Sequence, residues 1–499
     1  MRASGVLLPI FSLPGKYGIG CFSKEAYNFI DFLKKAGQTY WQILPIGPTS
    51  YGDSPYQSFS TFAGNSYFID LEELIEQKLL TKEECDAAHM GAKENDIDYG
   101  ALYIERFRLL RLAYSRIDDK TKAEVKAFAK EETWLEDYAL FMALKDAHDG
   151  KSFQEWEDEL RLRDKAALEK AAKTYADDVA FYEYLQYEFF RQWKKLRAYA
   201  NKEGIQIIGD IPIYIAADSA DVWCNPSLFQ IDKDGRPKAV AGCPPDAFSE
   251  TGQMWGNPLY DWPAHKKEGY KWWISRMKAC EGLYDVIRID HFRGFDEYYS
   301  IPYGREDAVI GQWEPGPGYE LFEAMEKALG KLNIIAEDLG YITPTVRKLV
   351  KDTGFPNMKI MEFAFDGREP KQGGAKTNDY LPFNMDKNCV VYTGTHDNET
   401  LYGWLDNVGK GSLEEAKRFM DIKWITKKGF VKKMVRLAVS SPANMCIIPI
   451  QDYLCLGNEA RINEPSTLGT NWRWRLKKGQ LTDKVAEEML YLANLYGRH

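Results

Sequence analysis

The chain has 499 residues, 45% of them hydrophobic and 28% charged, and carries a net charge of −9. That length exceeds one minimal domain but suits one large barrel with insertions, and the balance is that of a packed soluble protein. The charge excludes a surface built to displace counterions from nucleic acid, and no run of about 18 apolar residues offers a membrane span. Nothing calls for an anionic ligand either; a neutral one fits better. The apolar stretch 6–13 is interrupted by Pro9 and closed by Pro14-Gly15, without the basic start or cleavage site of a signal peptide. The eight cysteines are scattered with no CxxC pair, so neither a zinc site nor a disulfide framework is expected, and the cytoplasm is the expected compartment.

In chain order, a helix is predicted over 25–35 and a strand over 40–44. From about 71 to 200 the sequence turns rich in Lys, Glu, Ala and Leu, with helical stretches at 99–112 and 182–199. This reads as a helical insertion subdomain. A strand over 205–208 leads to Gly209-Asp210. Pro, Gly, Asn and Ser then recur through 239–262, which reads as a long loop and a candidate lid, with Phe248 and Trp255 as an acceptor clamp. Strands follow at 286–289, 333–336, 358–365, 390–393 and 446–450, with helices at 319–329 and 413–423 between them. Alternating buried strands and helices predict a parallel α/β architecture. No glycine-rich phosphate loop opens it, and acidic residues fall at the ends of at least four strands. A single (β/α)₈ TIM barrel over 1–499 is therefore expected, with the helical insertion and long active-site loops.

Three acidic motifs carry the chemistry. In Val286-Ile-Arg-Ile-Asp290, Arg288 and Asp290 are two apart on a strand and share a face. The guanidinium should hold Asp290 ionised, with its pKa below the ordinary carboxylate value, as a nucleophile requires. A structural Arg–Asp pair would look the same. In Ala336-Glu-Asp-Leu-Gly340, Glu337 and Asp338 face opposite ways, and parity does not say which faces the site; an acid donor there needs a raised pKa. In Thr395-His-Asp-Asn398, His396 and Asp397 follow a strand, where an Asx turn is the plain alternative. His291 and His396 adjoin these carboxylates, but neither spacing matches a zinc pattern, so no metal is expected. Together they suit retaining glycoside chemistry, in which one carboxylate attacks the anomeric carbon and another protonates the departing oxygen. Fourteen tryptophans and thirty tyrosines are compatible with sugar platforms, though also with packing. Residues alone leave hydrolysis and transfer evenly balanced.

The motif series Ser54-Pro-Tyr56, Gly209-Asp-Ile-Pro212, Pro244-Pro-Asp246, Ser249-Glu-Thr-Gly-Gln253, Trp255-Gly-Asn-Pro-Leu-Tyr260, Arg288-Ile-Asp-His-Phe-Arg-Gly294, Glu337-Asp-Leu-Gly340, Thr395-His-Asp-Asn398 and Asn471-Trp472 spans nearly the whole chain. It resembles the bacterial 4-α-glucanotransferases, or amylomaltases, related to the α-amylases. The resemblance implies Asp290 as nucleophile, Glu337 as acid/base and Asp397 as transition-state stabiliser. It implies Tyr56, Asp210, Arg288, His396 and Asn463 around the sugar, with Gln253 and Trp255 in the covering loop. It also implies transfer of α-1,4-glucan segments among maltooligosaccharides, amylose or glycogen-derived glucan, with glucose as an acceptor and no cofactor. An α-amylase-like hydrolase and a non-catalytic glucan-binding protein are the rival readings. Glu362, Asn357, Ser466 and Thr470 depart from the usual pattern, with Glu362 standing where Gln is common and the other three where Gly is.

Overall fold

The computed structural model describes residues 2–50, 52–91, 93–245, 249–367 and 374–499. In chain order its strands are β1 (Ala3–Leu7), β2 (Tyr40–Gln42), β3 (Gln206–Pro212), β4 (Ala239–Cys243), β5 (Gln253–Pro258), β6 (Val286–Asp290), β7 (Glu297–Pro302), β8 (Gln312–Pro315), β9 (Ile334–Ala336), β10 (Asn357–Ile360), β11 (Cys389–Tyr392) and β12 (Met445–Pro449). Eight of them close a barrel in the order β1-β12-β11-β10-β9-β6-β3-β2, so each pairs in parallel with the next barrel strand of the sequence. The (β/α)₈ barrel is the architecture of this protein.

Alternation explains why these runs are apolar on both faces. Leu7, Ile208, Val286, Ile335, Met358, Val390 and Ile447 form one cluster within the barrel. Their neighbours Val6, Ile207, Ile287 and Ile334 belong to another, packed under the surrounding helices. Buried strands of a parallel barrel have no solvent face, and a two-residue period separates the two cores.

Helices from Leu71–Glu76 to Ala176–Lys202 fill the connection between β2 and β3. Two buried glutamines tie this block down: Gln186 accepts from the Gly64 N–H at 2.7 Å, and Gln192 from that of Asp70 at 2.7 Å. The helix expected over 99–112 widens partway, with a π segment at Leu102–Arg106 before Phe107–Tyr114.

Several expectations are corrected. The stretch 239–262, read as a loop, carries β4 and β5, which join β7 and β8 in a four-stranded sheet ordered β5-β4-β7-β8. Its pairings are antiparallel. The small residues of Ala-Val-Ala-Gly-Cys hide the strand signal, while pairing with residues 299–302 supplies the order from outside. Asp246 and Phe248 lie outside the described residues. The run 358–365 is not one strand: β10 stops at Ile360 and a short helix, Met361–Phe365, follows. The helix placed at 413–423 spans Lys410–Phe419. β1 itself went unread because the apolar stretch overlapping it continues into Pro9 and looks like no strand boundary.

Pairing of β1 with β12 closes the barrel. Arg498, fully buried, donates to the carbonyls of Val439 (2.5 Å), Ala3 (3.1 Å) and Ser441 (3.0 Å). One guanidinium thus bonds β1 and the segment leading into β12. Arg498→Ala leaves three carbonyls without their donor and is expected to lower unfolding free energy by about 3 kcal/mol, measured by denaturant titration.

Candidate active site

β3 and β6 pair in a register that sets Asp210 beside Arg288. In a parallel ladder such partners point to the same face, here the barrel interior. Arg288 Nη1 donates to both oxygens of Asp210, at 2.7 and 2.6 Å, with the arginine 3% and the aspartate 0% exposed. Its other arm, Nη2, donates to Asp290 Oδ1 at 3.0 Å. Asp290 is the last residue of β6 and remains 29% exposed, so it stands where the barrel opens. Tyr56 donates its hydroxyl to Asp210 Oδ2 at 2.8 Å.

Glu337 resolves by parity once the barrel interior is known. Ile335 points inward, so Glu337, two residues on, does too, and Asp338 turns the other way. Asp338 accepts from Asn357 Nδ2 at 2.9 Å and from the Met358 N–H at 3.1 Å, pinning β9 to β10. Glu337 Oε2 accepts from the His291 N–H at 2.6 Å and Oε1 from the Leu339 N–H at 2.7 Å.

The two carboxyls that face each other differ in proton affinity. Burial, reinforced by Asp290, pushes Glu337 up to about 8, against the pull of Arg288 and the two backbone N–H groups. Burial also raises Asp290 to about 6, with Arg288 drawing it back down. This overturns the expectation that Arg288 would hold Asp290 below the ordinary value. The reason is burial, which outweighs the pull of Arg288, with Asp210 and Asp397 adding to the rise. Asp290 nevertheless remains the stronger acid of the two.

The third carboxyl arrives on the turn after β11. Asn463 Nδ2 donates to Asp397 Oδ1 at 2.6 Å, and His396 Nε2 lies 3.3 Å from the same oxygen. Asp397 is 44% exposed, toward the opening. His396 stacks on Tyr56 with centroids 5.2 Å apart and planes 16° from parallel, and Trp472 tilts against both rings. The turn weighed as an alternative is also present, but as a threonine turn rather than an Asx turn: Thr395 Oγ1 accepts from the Asp397 N–H at 3.2 Å, and Asn398 Oδ1 accepts from the Thr395 N–H at 2.8 Å. Turn and site coexist.

Gln253 and Trp255 sit on β5. The Trp255 indole donates to Gln253 Oε1 at 3.2 Å and meets the His291 ring edge-on at 4.7 Å. All ten residues expected around the sugar thus connect through one another or through His291. Sequence reasoning assigned His291 no role here. It has left-handed backbone (φ 55°), which aims its N–H at Glu337. Gln57 was also missed; its amide donates to the Trp255 carbonyl at 3.3 Å and to Asn257 Oδ1 at 3.0 Å, anchoring β5. Backbone donors and anchoring amides leave no mark in composition or spacing. Among the described residues no group of three His, Cys, Asp or Glu could hold a metal ion, and no helix is long and apolar enough to cross a membrane.

An eight-stranded barrel whose mouth holds two carboxyls of unequal acidity beside a third is the apparatus of a carbohydrate-active enzyme. A family model described as 4-alpha-glucanotransferase matches residues 8–482. The 4-alpha-glucanotransferase of Clostridium butyricum is 50% identical over 98% of this chain and 99% of its own length. That of Thermus thermophilus is 45% identical over 99% and 98%. Among solved structures, amylomaltase from Streptococcus agalactiae in complex with acarbose superposes with a TM-score of 0.96 at 40% identity, covering 100% of both chains. Amylomaltase from Corynebacterium glutamicum shares the fold, at a TM-score of 0.77 and 18% identity over 98% of this chain and 75% of that one. The chain belongs to the 4-alpha-glucanotransferase family.

Proposed function

We propose that this protein moves α-1,4-glucan segments between maltooligosaccharides by two displacements at one anomeric carbon, using Asp290, Glu337 and Asp397. In the first, an Asp290 oxygen attacks C1 of the donor while Glu337 gives its proton to the departing glycosidic oxygen. The bond to the leaving sugar breaks and a glycosyl ester of Asp290 forms. In the second, Glu337, now a carboxylate, takes the proton of an acceptor 4-hydroxyl as that oxygen attacks C1 and expels Asp290. Two inversions restore the α configuration. Asp397 faces the positive charge that develops on the sugar ring in each transition state.

The observation that carries this assignment is the split in proton affinity. Near pH 7 the carboxyl raised to about 6 is mostly ionised and fit to attack, while the one raised to about 8 is mostly protonated and fit to donate. Tyr56, Asp210, Arg288, His396 and Asn463 orient the sugar and the carboxylates. Gln253 and Trp255, within the 239–262 segment, serve as the lid that keeps water from the ester and holds an acceptor in line. Acarbose in the Streptococcus agalactiae amylomaltase fits this choice of ligand class. Amylose and glycogen-derived glucan are the further donors, and glucose is the smallest acceptor. Among the described residues no disulfide is formed, which suits a reducing compartment, and we place the protein in the cytoplasm.

Incubation with pure maltotriose tests the reading. Disproportionation yields glucose and a ladder of longer maltooligosaccharides by chromatography, with total reducing ends nearly constant. Rising reducing ends without longer products would make the protein a hydrolase, and no products at all would make it a binding protein.

A further inference from the structure

One buried acid takes no part in the chemistry above. Glu362 lies on the short helix after β10, 3% exposed, and its Oε1 has no hydrogen-bond partner. Its carboxyl lies against the turn that bears Asp397: a Cβ built on Gly394 would stand 3.2 Å from Oε1, and the Glu362 N–H donates to the Thr393 carbonyl at 3.2 Å. The charged groups that act on it most strongly are acidic. Asp452 comes from the helix after β12, Glu399 from the segment after the turn and Asp366 from the end of its own helix, and burial with these three pushes Glu362 well above the ordinary glutamate value.

Each of those neighbours is already held by something else. Asp452 accepts from Thr393 Oγ1 (2.6 Å) and the Leu401 N–H (2.9 Å), Glu399 from Asn458 Nδ2 (2.7 Å) and Asp366 from Trp404 Nε1 (3.3 Å). His396 and Asp397 face the opposite side of the turn, toward Tyr56 and Asn463. No arrangement of three such groups among the described residues could hold a metal ion. A chain of contacts then leads to the site. Asn398 and the Glu362 carboxyl crowd the same glycine, with Asn398 Cβ 3.1 Å and Glu362 Oε1 3.2 Å from a Cβ built on Gly394. Asn398 Oδ1 accepts from the Thr395 N–H and hydroxyl at 2.8 and 2.9 Å, and Thr395 Oγ1 accepts from the Asp397 N–H at 3.2 Å.

We propose that Glu362 is a positioning residue that works as a neutral carboxylic acid, aiming Asp397 at the sugar through Asn398 and Thr395. The proposal rests on Asp397 being the transition-state stabiliser. An unfolded glutamate ionises near its ordinary pKa, whereas the folded one keeps its proton to higher pH. Between those values folding must take up a proton, so the wild type loses stability as pH rises and a glutamine there does not.

The full-length wild type, E362Q and E362A are compared in maltotriose disproportionation and in thermal unfolding from pH 4.5 to 8. E362A is expected to lower kcat about 10-fold or more with little change in KM, as a misaimed transition-state group does. E362Q should restore most of that loss. The Tm of E362Q minus that of wild type should start near zero and grow by about 1 °C per pH unit. A Tm for E362Q below wild type at pH 7–8 would show that the charged form is the one needed and overturn the proposal. Unchanged kcat in E362A overturns it as well; if E362A does not fold, the E362Q slope decides. D397N assayed alongside separates the two readings. Wild-type kcat in D397N removes the role of Asp397 and this proposal with it, whereas a collapse in D397N with none in E362A removes the proposal alone.

Discussion

Replacing Asp290 with asparagine is expected to lower kcat for maltotriose disproportionation by about 10⁴-fold or more, because no other group can form the ester. The substitution is nearly isosteric. The asparagine oxygen can still accept from Arg288 Nη2, and Asp210 continues to pair with Arg288 through both oxygens, so no buried charge is orphaned. Stability should therefore stay within ~1 kcal/mol of wild type. Chromatographic rate measurement and thermal unfolding together separate loss of chemistry from loss of fold. A D290N protein that keeps substantial transfer would place the nucleophile elsewhere.

Glu337→Gln is expected to cost about 10²–10⁴-fold in kcat on maltotriose, the usual worth of a positioned acid. The loss should depend on the leaving group. A maltosyl fluoride donor departs without protonation, so E337Q should still form the ester from it, and the ester should accumulate because the second step lacks its base. Mass spectrometry of the intact protein would show the adduct. The pH profile provides a second sign. Asp290 must be ionised, so wild-type kcat/KM rises through about pH 6, and Glu337 must be protonated, so it falls through about pH 8. With the fluoride donor, ester formation by E337Q should keep the acid limb and lose the Glu337 contribution to the alkaline limb. An unchanged Glu337-dependent limb would remove the assignment of Glu337.

Much of the site is legible because strands obey a two-residue period. Arg288 and Asp290 were expected on one face, and they bond at 3.0 Å. The same rule stalled at Glu337-Asp338. β9 is apolar on both faces, so its sequence contains no hint of which face is inside; only closure of the barrel makes Ile335 interior and Glu337 with it. The reading of 239–262 failed for a related reason. A strand of Ala, Val and Gly has weak preferences of its own, and β4 is ordered by partners from residues 253–258 and 297–302.

The proton affinities were even further from reach. Arg288 beside Asp290 argued for a lowered value, and burial reversed the sign, with Asp210, 78 residues before Arg288 in the chain, adding to the rise. The backbone N–H of His291 on Glu337 depends on one left-handed residue, which no side-chain pattern announces.

By itself, then, the amino-acid sequence determined the alternating strands and helices, the acidic residues at their ends and the motif series that goes with them. These are local periodicities and residue identities. Which of two neighbouring carboxyls faces the barrel interior, how strongly each holds its proton, and what anchors β5 were decided only by the tertiary structure. They arise from burial and from contacts between residues far apart in the chain, and no local pattern contains them.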